Sequence, residues 1–158
     1  MFSLNQIDLI VYDFDGVMTD NKVTINEEGL ESVIVHRGDG MAISLLKAQS
    51  YRQLIMTSEK NEVVKHRSKK LGIKAIVGVK DKKKKLSQYC LKEKIELSKV
   101  MFVGNDLNDI EAMKIVGYPV APFDAAKEVK MVAKLITMSS GGNGVIRELM
   151  GQFNFVDV

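Results

Sequence analysis

One cysteine, Cys90, is the only thiol in the chain, so an internal disulfide framework is excluded and a reducing compartment suits the protein. Prolines number two, and no low-complexity stretch or internal repeat interrupts the sequence. No apolar run approaches the ~20 residues of a membrane span, and residues 1–6 lack the basic region and hydrophobic stretch of a signal peptide. The excess of basic over acidic residues is only +3, too small to argue for a nucleic-acid partner, though it would not repel an anionic substrate. With 46% hydrophobic and 27% charged residues, the composition is that of an ordinary globular protein. A soluble, cytoplasmic protein is expected, with residues 1–158 forming one domain large enough to bury a real core.

Against these absences, residues 7–20 stand out, reading IDLIVYDFDGVMTD. An unbroken apolar run ending at a glycine suits a strand buried on both faces. Asp13 and Asp15 then fall at its carboxyl end, where open α/β sheets place their active sites. Carboxylates one residue apart can hold a hard cation, or one can attack phosphorus while its neighbour moves protons. The same pair could equally serve as a turn or a helix cap.

The rest of the chain alternates short apolar runs with helical patterns. Strands are predicted at residues 7–12, 53–56, 75–77, 100–103, 118–121 and 135–137. Helices are predicted at 40–49, 62–71, 82–94, 108–116, 125–133 and 145–153. The alternation implies an α/β fold: a Rossmann-like parallel sheet covered by helices on both faces. One segment departs from it. Val23 and Ile25 alternate with polar residues, Asn26-Glu27-Glu28-Gly29 offers a turn, and residues 32–35 return as β-branched sequence, which predicts a β-hairpin inserted directly after the first strand.

Other strand ends carry chemistry too. The second strand ends in Thr57 and Ser58 just before a helix, as an anion site would want. Lys82 follows the third strand, and Gly104-Asn105-Asp106-Leu107-Asn108-Asp109 follows the fourth. In a parallel sheet these loops share one edge with Asp13 and Asp15. Carboxylates, hydroxyl, lysine and further carboxylates at successive strand ends read as a metal site beside a phosphate site. Asn108 or Asp109 could also act as a helix N-cap. The run from Lys82 to Lys85 fans around a helix, so one or two of these lysines at most face the site; Lys82 is preferred by spacing, with Lys83 next.

In that order the residues resemble the four motifs of the haloacid dehalogenase superfamily: Asp13-Phe14-Asp15-Gly16-Val17, Thr57, Lys82 and residues 104–109. The resemblance implies that Asp13 is the nucleophile that becomes an aspartyl phosphate and that Asp15 is the acid/base. It further implies that Asp13, Asp15 and Asn105 bind Mg2+, with Asp106 and Asp109 supporting the metal, while Thr57 and Lys82 bind the charge of the phosphoryl group. Family dehalogenases lack the second Asp and the related ion pumps carry Thr there, so Asp15 implies a phosphatase.

The hairpin is too short for a cap domain and resembles the capless branch that includes 3-deoxy-octulosonate 8-phosphate phosphatases and sialic-acid-type 9-phosphate phosphatases. The Gly-rich residues 141–148 resemble that branch as well. By that likeness the protein is a homotetramer that hydrolyses a phosphorylated sugar acid. Thr57-Ser58-Glu59-Lys60 followed by Arg67 and Lys70 looks like the nine-carbon type, with Glu59 accepting sugar hydroxyls and Arg67 and Lys70 holding the carboxylate. Arg67 and Lys70 share one helical face, though a basic helix surface is often simply solvated. Asn105 departs from the family, which usually places Asp after the glycine of the fourth motif. An amide oxygen can bind Mg2+ without the formal charge of a carboxylate. The alternative implied by that departure is a weakly catalytic or noncatalytic assembly module, related to the one fused to some CMP-sialate synthetases.

Overall fold

The computed structural model describes residues 6–151. Its six-stranded sheet is parallel throughout, with β1 Leu9–Tyr12, β4 Arg52–Met56, β5 Lys74–Ile76, β6 Val100–Val103, β7 Tyr118–Ala121 and β8 Leu135–Ile136 in the order β5-β4-β1-β6-β7-β8. β1 pairs with β4 on one side (Leu9 opposite Arg52) and with β6 on the other (Leu9 opposite Val100). After β1 the chain builds outward one way, then returns to build the other way. The crevice at that reversal, at the carboxyl ends of β1 and β6, is where such sheets bind ligands.

Strand periodicity divides the core in two. Ile10 and Tyr12 face α1 Arg37–Ala48, α2 Glu62–Leu71 and α6 Val145–Gly151, packing with Ile43, Leu46, Val64, Ile146 and Leu149. Leu9 and Val11 face α3 Lys82–Glu93, α4 Ile110–Met113 and α5 Lys127–Val132, packing with Leu86, Cys90, Met113 and Val129. The expected α/β architecture with helices on both faces is therefore present. Burial pushes the Cys90 thiol up to about 11, as befits a small core residue. No described helix is long and apolar enough to cross a membrane.

Several expected boundaries shift. The first helix starts at Arg37 rather than at 40. Gly38 and Gly40 lie in its first turn, where a Cβ would press on the His36 ring at Gly38 and on the Arg67 guanidinium at Gly40. The third strand lies one residue earlier than expected, and the fourth helix is a short 3-10 turn, Leu107–Asp109, followed by one α-turn. It cannot run to 116 because the chain must turn so that Gly117 passes against the Ser98 backbone, where no side chain fits. The end of the helix expected at 145–153 lies partly outside the described residues.

The hairpin follows β1 as expected, but each strand has only two residues: β2 Thr24–Ile25 and β3 Glu31–Ser32. Asn26 makes the turn, its Oδ1 accepting from Glu28 N (3.0 Å) and Leu30 N (2.8 Å), and Gly29 takes φ +77°. The hairpin buries little within its own chain: Val23, Ile25, Leu30 and Ile34 are 47%, 61%, 62% and 77% exposed.

Candidate active site

The turn after β1 builds the floor of the site. Asp13 N donates to Val103 O (2.9 Å), extending the β1–β6 pairing by one residue. Phe14 O then accepts from Met18 N (2.9 Å) and Thr19 N (3.2 Å), reversing the chain in a tight loop. Thr19, fully buried, sits at the hub: its hydroxyl accepts from Gly16 N (3.3 Å) and Asn21 N (3.2 Å) and donates to Asp15 Oδ1 (3.3 Å). Gly16 has φ +81°, and any Cβ there would collide with the Asn105 amide.

Beneath the pocket lies a buried ion cluster. Lys82, at the start of α3 and capped by Asp81, sends Nζ to Asp13 Oδ1 (2.9 Å) and Asp109 Oδ1 (2.6 Å). All three side chains are at most 7% exposed. Asp109 Oδ2 accepts in turn from Asn105 N (2.9 Å) and Asp106 N (3.3 Å), shaping the loop after β6. Lys83 instead points along the surface towards Glu111, 3.6 Å away. Burial, reinforced by Asp109 and opposed by Lys82, raises the Asp13 carboxyl to about 7. For Lys82, burial acts to lower the ammonium, yet Asp13 and Asp109 outweigh it and the net direction is up.

Above the cluster opens a pocket of about 170 Å3 lined by Asp13, Asp15, Asn21, Thr57, Glu59 and Asn105, with Ser58, Asp106 and Asn108 at its rim. Thr57 is buried, and its hydroxyl accepts from Glu59 N (3.1 Å). Asn108 Nδ2 donates to Ser58 Oγ (3.0 Å), joining the loops after β4 and β6. Partial burial raises the Asp15 carboxyl, Thr19 lowers it, and Glu59 and Glu31 add to the rise. A carboxyl so shifted is suited to hold and release a proton. A larger cavity, about 450 Å3, lies at the opposite edge of the sheet among Asp8, Gln49, Ser50, Arg52 and Lys94, but it lacks paired carboxylates beside a buried lysine.

Of the residues singled out in the sequence, Asp13, Asp15, Thr57, Glu59, Asn105 and Asp106 meet in one pocket, with Lys82 and Asp109 directly below. Arg67 and Lys70 do not line it. Arg67 Nη2 donates to His36 O (3.3 Å) at the start of α1, and Lys70 is exposed on α2. His36 is the N-cap residue of α1 and stands away from the pocket lining. Two contributors escaped the sequence reading, Thr19 and Asn21. The signal for Asn21 was its place in a turn-rich Asp-Asn step, where Asn tolerates the left-handed φ of +65° that it adopts.

The donor set also fits a hard cation. Asp15 enters it through its backbone: one end of the Asn105 amide lies 2.8 Å from Asp15 O and 3.3 Å from Asp13 Oδ2. With the amide oxygen at that end, a carboxylate, a carbonyl and an amide oxygen converge, which suits Mg2+ rather than a thiolate- or imidazole-seeking metal. No group of three or more His, Cys, Asp or Glu side chains is disposed to hold a metal among the described residues, so neutral oxygens must complete any such site.

A parallel sheet that gathers paired aspartates and a buried lysine at its reversal point has the layout of an open α/β hydrolase site. Residues 47–149 match the family model of the haloacid dehalogenase-like hydrolases. Over 150 residues the chain is 31% identical to the 3-deoxy-D-manno-octulosonate 8-phosphate phosphatase of Escherichia coli, covering 94% of this chain and 80% of that one. The crystal structure of the Moraxella catarrhalis phosphatase of the same name, in complex with a magnesium ion, a phosphate ion and a KDO molecule, superimposes with a TM-score of 0.91 at 31% identity, over 94% of this chain and 86% of that one. The chain is also 24% identical over 142 residues to N-acylneuraminate cytidylyltransferase A of Danio rerio; the match takes in 89% of this chain but only a third (33%) of the length of that relative. The chain belongs to the haloacid dehalogenase-like hydrolases.

Proposed function

We propose that the protein is a Mg2+-dependent phosphatase of sugar-acid phosphate monoesters, a nonulosonate 9-phosphate or a 3-deoxy-octulosonate 8-phosphate, working as a cytoplasmic homotetramer. The observation that carries this reading is the Asp13–Lys82–Asp109 cluster directly under a pocket rimmed by Asp15 and Thr57. Asp13 attacks phosphorus, the bond to the sugar oxygen breaks, and Asp15 delivers the proton that the leaving alkoxide needs. Asp15 then takes a proton from the water that cleaves the aspartyl phosphate, releasing inorganic phosphate. Lys82 opposes the rise that burial imposes on the Asp13 carboxyl, favouring its ionised form, and the Thr57 hydroxyl donates to the phosphoryl oxygens. Asp13, the Asp15 carbonyl and Asn105 would hold Mg2+, which when bound would supply charge neutralisation for the transferring group.

Phosphate release from a panel of sugar phosphates, with Mg2+ and with EDTA, tests the reading; turnover that EDTA abolishes is the expected result. A second reading, an assembly module with little or no activity, draws on Asn105 and on the similarity to one third of a cytidylyltransferase. Absence of release from every substrate in the panel would favour it.

Recognition of the sugar carboxylate is assigned to Arg67 and Lys70, from a neighbouring subunit. Lys70→Ala or Arg67→Ala is expected to raise KM for a nine-carbon sugar-acid phosphate about tenfold, by loss of a charge-assisted hydrogen bond. Hydrolysis of p-nitrophenyl phosphate, which has no carboxylate, should hardly change. Equal effects on both substrates would reject the role.

The hairpin supports the tetramer. Four apolar side chains about half to three-quarters exposed on so short a hairpin need a partner to cover them. Deleting residues 24–32 is expected to leave monomers or weakly associated chains by light scattering. A tetramer that survives the deletion would place the interface elsewhere.

A further inference from the structure

Asn105 is fixed at its backbone, while its side-chain amide can present either end to the site. Its N–H donates to Asp109 Oδ2 (2.9 Å), and its carbonyl accepts from Ala126 N (2.9 Å). The amide, buried, lies between Gly16 on one side and the Asp13 carboxylate and Asp15 carbonyl on the other. Whichever end faces the two oxygens determines what the site is. With nitrogen there, the amide donates to Asp15 O (2.8 Å) and Asp13 Oδ2 (3.3 Å), satisfying both acceptors. With oxygen there, three acceptors face one another and require a cation between them.

A carboxylate at 105 would have only the second state, because it has no donor to offer. The neutral amide has both, and they compete for the same pair of oxygens. It also leaves a cation with a single formally charged ligand from the protein, Asp13. Mg2+ sheds water reluctantly and is held in such sites by one or two carboxylates together with phosphate oxygens. The charge missing from Asn105 must therefore come from the substrate.

We infer that Asn105 makes Mg2+ binding conditional on the phosphate: its amide clamps Asp13 to the Asp15 carbonyl until a phosphate dianion accompanies the cation, and only then turns its oxygen inward. The inference rests on the phosphatase reading and concerns the coupling between the two ligands. Its consequence is that the unliganded protein does not accumulate Mg2+ at the site. Metal and phosphate arrive as a linked pair, each tightening the other by the same factor.

Calorimetric titration of the native protein with MgCl2, alone and in the presence of inorganic phosphate, reads this directly. Phosphate is expected to tighten Mg2+ about tenfold or more, as a charged ligand added to a site with one carboxylate. In Asn105→Asp, Mg2+ alone should bind about tenfold tighter than in the native protein, and the phosphate effect should shrink. The Asn105 side-chain NH2 resonances, assigned by their loss in Asn105→Asp, should be protected from exchange in Mg2+-free buffer and lose that protection when both ligands are added. Native protein that binds Mg2+ equally well with and without phosphate overturns the inference and leaves the phosphatase reading standing. Failure of both proteins to bind Mg2+ even with phosphate overturns the phosphatase reading itself. Should Asn105→Asp not fold, the phosphate dependence in the native protein still decides the matter.

Discussion

Asp13→Asn is expected to reduce phosphate release by about four orders of magnitude or more, the scale on which removal of a covalent nucleophile acts. The amide is isosteric with the carboxylate and cannot form the aspartyl phosphate, while Lys82 keeps its 2.6 Å bond to Asp109. The fold should therefore persist, and its pH response carries a second signature. Burial and Asp109 raise the Asp13 carboxyl from 3.8 to about 7, so the folded chain holds that proton more tightly than the unfolded chain. The resulting contribution to stability is fully present below about pH 4 and is lost as pH rises through about 7. In Mg2+-free buffer the melting temperature of the native protein should fall more between pH 5 and pH 8 than that of Asp13→Asn. Steady-state assays and melts at the two pH values check both halves, and near-normal turnover in Asp13→Asn would remove Asp13 from the nucleophile's role.

Lys82→Met is expected to abolish activity and to lower stability. It withdraws the ammonium from between two carboxylates that lie at most 7% exposed. Breaking a buried pair by removing one partner costs about 3–5 kcal/mol, because the remaining charge is left without compensation. For a chain of this size that corresponds to a drop of about 10 °C in melting temperature. Adding Asp109→Asn to Lys82→Met should recover part of the stability and none of the activity, which separates the structural from the chemical role of the lysine. A single Lys82→Met variant that melts with the native protein would show that the cluster carries no such strain.

How much of this was legible in the sequence varies with the physical origin of each feature. The sheet was legible because its central strands are buried on both faces and read as continuous apolar runs, as in Leu9–Tyr12 and Val100–Val103. The motif residues were legible because each lies within three positions of a strand end or at the start of a helix. The start of α1 was not: Gly38 and Gly40 are there for close packing against His36 and Arg67, a tertiary cause that local propensity cannot register. Nor was the part played by the Asp15 carbonyl, since every residue has one and only the reversal at Phe14 aims this one at Asn105. The full extent of the hairpin strands was overstated, because β-branched residues such as Val33 and Ile34 alternate as if paired while the chain supplies them no strand to pair with.

The site is layered by depth, and the layers are free to diverge at different rates. Asp13, Thr57, Lys82, Asn105 and Asp109 are buried, bonded to one another or to the strand ends. Ser58, Glu59, Asp106 and Asn108, around the mouth, are exposed, as is Glu31 on the hairpin. Substitutions among the inner group disturb the fold and the reaction together, so selection sees them twice. Substitutions at the rim that spare the Asp106 cap and the Asn108–Ser58 bond cost little stability, since exposed side chains away from caps and networks contribute only tenths of a kcal/mol, about ±0.5. A lineage can thus exchange one phosphorylated compound for another by redrawing the mouth, keeping an inherited reaction centre that it cannot easily alter.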